Sequence, residues 1–143
     1  MGILLALLVA LSPVPHARAG GRHNCFTVHE KRRCFLELGS ALLGPDCPYA
    51  KGAYNCAAAR ALAAAIKVPL ADAELEGGRN PGALLCKKLA GSLEVGADWA
   101  GNQEAICVFG DGTMVTATSL WLQREEAAAA AAPPSAPVTK KHK

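Results

Sequence analysis

Cysteine is the residue type in this 143-residue chain that offers the most chemistry, and there are six of them. Four stand in two copies of one spacing, Cys25-x8-Cys34 and Cys47-x8-Cys56, and Cys86 and Cys107 follow. A thiol can ligate zinc, attack an electrophile or form a disulfide. Zinc would draw on Cys25, His29, Cys34, Cys47 and Cys56, but structural zinc sites use short Cys-x2–4-Cys knuckles, and the chain contains none. A cysteine nucleophile with His29 as its base needs a free thiol, and an even cysteine count leaves none over. Three disulfides are therefore expected, with no metal and no cofactor. For the four upstream cysteines the favoured pairing is nested, Cys25 with Cys56 and Cys34 with Cys47, because that pattern clamps an antiparallel helical hairpin at two levels. Pairing of adjacent cysteines is the alternative.

The other reactive or adhesive side chains point to contact rather than catalysis. No Ser-His-Asp order, phosphate-binding glycine loop or paired acid motif can be assembled from the chain, so no enzyme is expected. Asp111 lies in Gly110-Asp111-Gly112, where a turn accounts for it. The run His29-Glu30-Lys31-Arg32-Arg33 reads as a solvated loop between two cysteines. Trp99, in a loop with Asp98, Gly101 and Asn102, and Trp121 are the candidate contact residues, each to be weighed against a plain role in plugging a small core.

The elements that must position these groups divide the chain into zones. Residues 20–68 read as a cysteine-rich helical subdomain. The apolar spacing from Cys34 through Leu43 predicts one helix, stopped by Gly44-Pro45, and the alanine-rich run from Asn55 to Ile66 predicts another, capped by Asn55 and ended before Pro69. Residues 69–79 read as a linker. In residues 80–124, Asn80-Pro81 starts a helix to Ala90, with Gly91 as its left-handed terminator. Three strands follow, over Ser92–Val95, Glu104–Phe109 and Thr113–Leu122, the last two joined by the Asp-Gly turn. The predicted class is α+β: a small disulfide-stapled helical N-terminal part, then one helix packed on a three-stranded antiparallel sheet. Residues 125–143, with their alanine run, prolines and terminal lysines, read as a disordered tail.

Compartment and charge set further bounds. Ile3 to Leu11 is an unbroken apolar run ahead of Ala17-Arg18-Ala19, the pattern of a signal peptide over residues 1–19 with an A-x-A cleavage site. The run is well short of the roughly 20 residues that span a bilayer as a helix. The expected mature chain starts at Gly20, has no transmembrane segment and is secreted or periplasmic, where disulfides persist. Setting aside Arg18 and the tail residues Lys140, Lys141 and Lys143 leaves 11 basic against 12 acidic residues, so the body lacks the concentrated basic face of a nucleic-acid binder.

Asn80-Pro81, Cys86, the Gly91 turn, Leu93-Glu94, the loop around Gly101, Cys107-Val108-Phe109 and Asp111-Gly112 together resemble the domain of unknown function 333 family. These are small exported bacterial domains that often carry the label putative haemolysin. The resemblance covers about residues 78–124 and implies that Cys86 pairs with Cys107. Such a bridge, closing a loop of about 21 residues, contributes roughly 3 kcal/mol in the chain-entropy view. Family members follow the Asp-Gly with an acidic pair and a tryptophan, whereas here Thr116, Ala117 and Thr118 fill that stretch and Trp121 comes later. The combined expectation is an exported, disulfide-stabilised, non-enzymatic module that binds a protein or cell-envelope partner. The alternative implied by the family label is a membrane-active, haemolysin-like factor. The chain lacks the cationic amphipathic helix that lies in a bilayer interface.

Overall fold

In the computed structural model, residues 24–132 are described. The expected leader and its cleavage site, and the proline- and lysine-containing end of the tail, lie outside that range.

The N-terminal part is built of strands, which corrects the expectation of a helical subdomain. Cys25–Val28 (β1) and Lys31–Cys34 (β2) form an antiparallel hairpin, and Leu36–Leu38 (β3) and Ala41–Leu43 (β4) form a second. The predicted helix over Cys34–Leu43 is absent. Gly39, at φ +62°, turns the chain in mid-run, and Leu43 of β4 finds a ladder partner in the distant Val115. A short apolar run has no period long enough to choose between helix and strand, so the available pairing partner decides. A small third hairpin, Tyr49–Ala50 (β5) with Ala53–Tyr54 (β6), leads into helix α1, Ala57–Ala65. The N-cap of that helix is Cys56, one residue beyond the expected Asn55.

Downstream, the short helix Asp72–Leu75 (α2) lies within the segment expected as a linker. Lys88 ties it down, reaching both Glu74 at 2.8 Å and the carbonyl of Pro69 at 2.9 Å. Helix α3, Pro81–Lys88, begins as its sequence indicates, with the Asn80 side chain accepting the Ala83 N–H. Strands Ser92–Ala97 (β7), Gln103–Val108 (β8) and Met114–Thr116 (β9) follow. The third is much shorter than predicted, because Thr116 caps a new helix, α4, over Ala117–Ala131. The Thr116 hydroxyl accepts the Ser119 N–H, and good helix formers then carry the chain on. Residues 125–131, expected in a disordered tail, are therefore helical.

Strands of both halves belong to one antiparallel sheet of order β2-β1-β7-β8-β9-β4-β3. Its two edge strands, β2 and β3, are consecutive in the chain and separated only by Phe35. The sheet must therefore curl until its edges adjoin, giving a nearly closed, barrel-like form. Phe35 is 2% exposed and donates its N–H to the Asn24 carbonyl at 2.8 Å. Its ring stands edge-on to Phe26, and with Val28, Ile106 and Met114 these two fill the inner face. The outer face of β4, β8 and β9 is covered by α1, α3 and α4 through Leu43, Ala58, Ala61, Leu85, Val115 and Leu120. Strand alternation sends Ile106 to the first cluster and Cys107 to the second.

Candidate functional site

The three disulfides are Cys25–Cys34, Cys47–Cys56 and Cys86–Cys107, and no cysteine among the described residues is free. The nested upstream pairing is thereby corrected to the adjacent one. Its premise was a helical hairpin, and these segments are β-hairpins. Residues 29 and 30 form the turn of the first, so Cys25 and Cys34 stand directly opposite in register. Residues 51 and 52 turn the second, where Tyr49 faces Tyr54 and the Asn55 N–H bonds the Pro48 carbonyl. Carried one step outward, that register sets Cys47 opposite Cys56. Cys86, on α3, meets Cys107, on β8, with both side chains buried. Gly91 passes so close that a Cβ there would lie 2.4 Å from the Cys107 sulfur and 2.8 Å from that of Cys86. The expected left-handed terminator is instead Ala90, at φ +62°.

Of the two tryptophans, Trp121 packs half-buried against the outer core from α4. Trp99 is 72% exposed, at the tip of the β7–β8 hairpin. The loop beneath it is held by one side chain. Asp98 Oδ1 accepts the N–H groups of Ala100 and Asn102 at 2.8 and 2.9 Å, and Oδ2 accepts the Asn102 amide at 2.8 Å. Two backbone bonds, Asp98 N to Asn102 O and Gly101 N to Asp98 O, complete the turn, with Gly101 at φ +84°. The Asn102 amide, followed by the backbone N–H donors, holds the Asp98 carboxyl below its ordinary pKa, so the clasp is ionised at neutral pH. Val95, on β7 four residues before Trp99, is 63% exposed. A large apolar ring is thus presented to solvent on a loop whose backbone is already ordered. The sequence placed Asp98, Gly101 and Asn102 around Trp99, but their hydrogen bonding and the exposure of Val95 were not foreseen.

Asp111 has a different role from a ligand or acid. Its Oδ2 accepts the Ala57 N–H at 2.7 Å, and its Oδ1 accepts the Thr113 hydroxyl at 2.6 Å and the Thr113 N–H at 3.0 Å. Thr113 in turn accepts the Ala58 N–H. The β8–β9 turn therefore caps the N-terminus of α1. The Thr113 hydroxyl, then the backbone donors, hold the Asp111 carboxyl down to about 2. At the far end of the first hairpin, His29 Nε2 lies 2.9 Å from Glu94 Oε2, and Arg33 pairs with Asp46 at 2.8 Å. The run 29–33 is thus one hairpin turn and its second strand.

An open groove of about 250 Å³ between α1 and the end of α3 is lined by Ala57, Arg60, Ala61, Ala64, Leu89 and Phe109. Its one charged side chain offers no acid–base pair. Among the described residues, no group of three or more His, Cys, Asp or Glu side chains is arranged to hold a metal ion, and no helix is long and apolar enough to cross a membrane. Among the described residues, the convergent polar groups at Asp98 and Asp111 act as turns and caps, and Trp99 is the most exposed of the large apolar side chains. Comparison with family models, with curated proteins and with solved structures finds no match to this chain.

Proposed function

We propose that this chain is an exported, non-enzymatic binding module that meets a protein or cell-envelope partner through the β7–β8 tip, with Trp99 as the central contact. The observation that carries the reading is the exposure of Trp99 on a loop ordered by Asp98. Exposed aromatic anchors on preordered loops lose little conformational entropy when they dock, so they supply a large share of binding energy. The three disulfides support an oxidising location, which agrees with the leader expected over residues 1–19.

The test uses two variants of the oxidised protein. Trp121→Phe leaves Trp99 as the sole tryptophan, so its emission reports the tip directly. Titration with solubilised envelope fractions should shift that emission to shorter wavelength, and Trp99→Ser should abolish retention of the protein on the same material while its circular dichroism is unchanged. Equal retention of wild type and Trp99→Ser would overturn the reading.

A further inference from the structure

The three disulfides differ sharply in access. Cys86 and Cys107 are fully buried and Cys47 and Cys56 are nearly so, but Cys34 is exposed, on the edge strand β2, while its partner Cys25 is covered. Thiol–disulfide exchange requires a thiolate to reach one sulfur along the S–S axis, and exposed bridges are the labile ones. The difference in exposure between the two residues favours one direction of attack, on Cys34 Sγ with Cys25 as the leaving group.

Two further features surround this bridge. Arg32 stands two residues from Cys34 on the same strand, hence on the same face and about 7 Å away, and it is exposed, with no carboxylate partner among the described residues. A nearby cation favours thiolate over thiol, so it assists both the incoming and the departing sulfur. The hairpin that carries the bridge is anchored in the core by Phe26 and Val28 and tied to β7 by the His29–Glu94 pair, but its turn is conformationally costly. Its turn residues, His29 and Glu30, have φ of +48° and +63° although both carry a Cβ, a conformation that surrounding structure must enforce. Beyond the hairpin, β1 meets β7 at the single registered pair Thr27 and Ala97.

We propose that Cys25–Cys34 is a thiol–disulfide exchange site whose reaction partner is a dithiol. One thiolate of the dithiol attacks Cys34 Sγ. The S–S bond breaks, Cys25 leaves as a thiolate and takes a proton from water, and a mixed disulfide forms on Cys34. The second thiolate of the dithiol attacks its own sulfur in that mixed disulfide and releases Cys34. The dithiol is oxidised to a cyclic disulfide, and the protein bridge gains two electrons and two protons. The outcome is a β1–β2 hairpin freed of its clasp beside the point where the sheet closes.

The experiment treats the folded, oxidised full chain with dithiothreitol under native conditions, traps thiols by alkylation at intervals and maps them by mass spectrometry. Cys25 and Cys34 should be labelled at least about tenfold faster than the other four cysteines, as expected for exposed against buried sulfur. A single rate for all three bridges, or no labelling of Cys34 until denaturant is added, overturns the proposal. Arg32→Glu, at an exposed position, should slow the Cys25–Cys34 reaction by about three- to tenfold through reversal of one charge in a water-like dielectric. An unchanged rate would mean that the bridge is merely accessible, and would overturn the assignment of a site built for exchange.

Discussion

Asp111 shows how much of a residue's role depends on what the fold brings to it. The Asp-Gly pair indicated a turn, and the turn exists, with the Gly112 N–H bonding the Phe109 carbonyl. The N-terminus of α1, which arrives from 54 positions away, adds a capping role. The carboxyl, held at about 2 against an ordinary 3.8, is more acidic in the folded chain than in the unfolded one. Its stabilising contribution is therefore complete above about pH 4 and is lost as pH falls through the interval toward 2. We expect the melting temperature of the wild type to drop across that interval and that of Asp111→Asn to drop much less. A pH series of thermal melts followed by circular dichroism checks this, and parallel curves for the two proteins would contradict it. Gly91 teaches the same lesson in reverse. A helix terminator was legible there, but the physical demand on the position comes from two sulfur atoms, one of them on a strand sixteen residues further on.

Among the elements, the two Cys-x8-Cys segments are the same object built twice: a β-hairpin with a two-residue turn and a disulfide between its ends. Eight intervening residues suit this geometry, since two make the turn and three on each side keep the cysteines opposite and on one face. The spacing was visible in the sequence, and reading it with a helical period instead of a period of two led to the nested pairing. Helix α4 was missed for a related reason. Thr, Val, Leu and Trp raised the strand tendency of residues 113–122, but one side-chain cap at Thr116 converts the segment to helix. Ser119 then joins this helix to the sheet, since its hydroxyl meets that of Thr116 and accepts the Leu42 N–H at 2.8 Å. Ser119→Ala should cost about 1–3 kcal/mol by leaving a partly buried N–H unpaired. Urea unfolding measures the change, and a loss below about 0.5 kcal/mol would show that water replaces the hydroxyl.

For the whole molecule, the controlling feature is that one sheet is shared by both halves of the chain. The bridges each stay on one side of residues 57–85, yet hairpin β1–β2 flanks β7 and hairpin β3–β4 flanks β9. Phe35 sits where the two outer strands meet, with almost no exposed surface. Phe35→Ala should therefore destabilise the protein by about 3–5 kcal/mol, the usual range for emptying a buried aromatic site. Because the ring packs on Phe26 and closes both hairpins onto the central strands, near-ultraviolet dichroism and the chemical shifts of β1 and β3 should change together. A variant that loses stability only in the Cys47–Cys56 segment would contradict this account of closure.

Some properties could be read without any structure, because they depend on local chemistry. The even cysteine count, the Asn80-Pro81 helix start, the alanine-rich α1 and the β7–β8 strand pair each rest on residues near one another in sequence, and the structure contains three bridges and these elements. Strand partnership is of another kind. Whether residues 34–43 become helix or strands depends on Val115 being available to pair with Leu43, and whether Trp99 is a core plug or an outward contact depends on which strands the helices cover. Backbone hydrogen bonds within a helix are satisfied locally, whereas those of a strand need a neighbour that may lie anywhere along the chain. The sheet order, the pairing of the upstream cysteines and the exposure of both Cys34 and Trp99 were consequently decided by the tertiary fold.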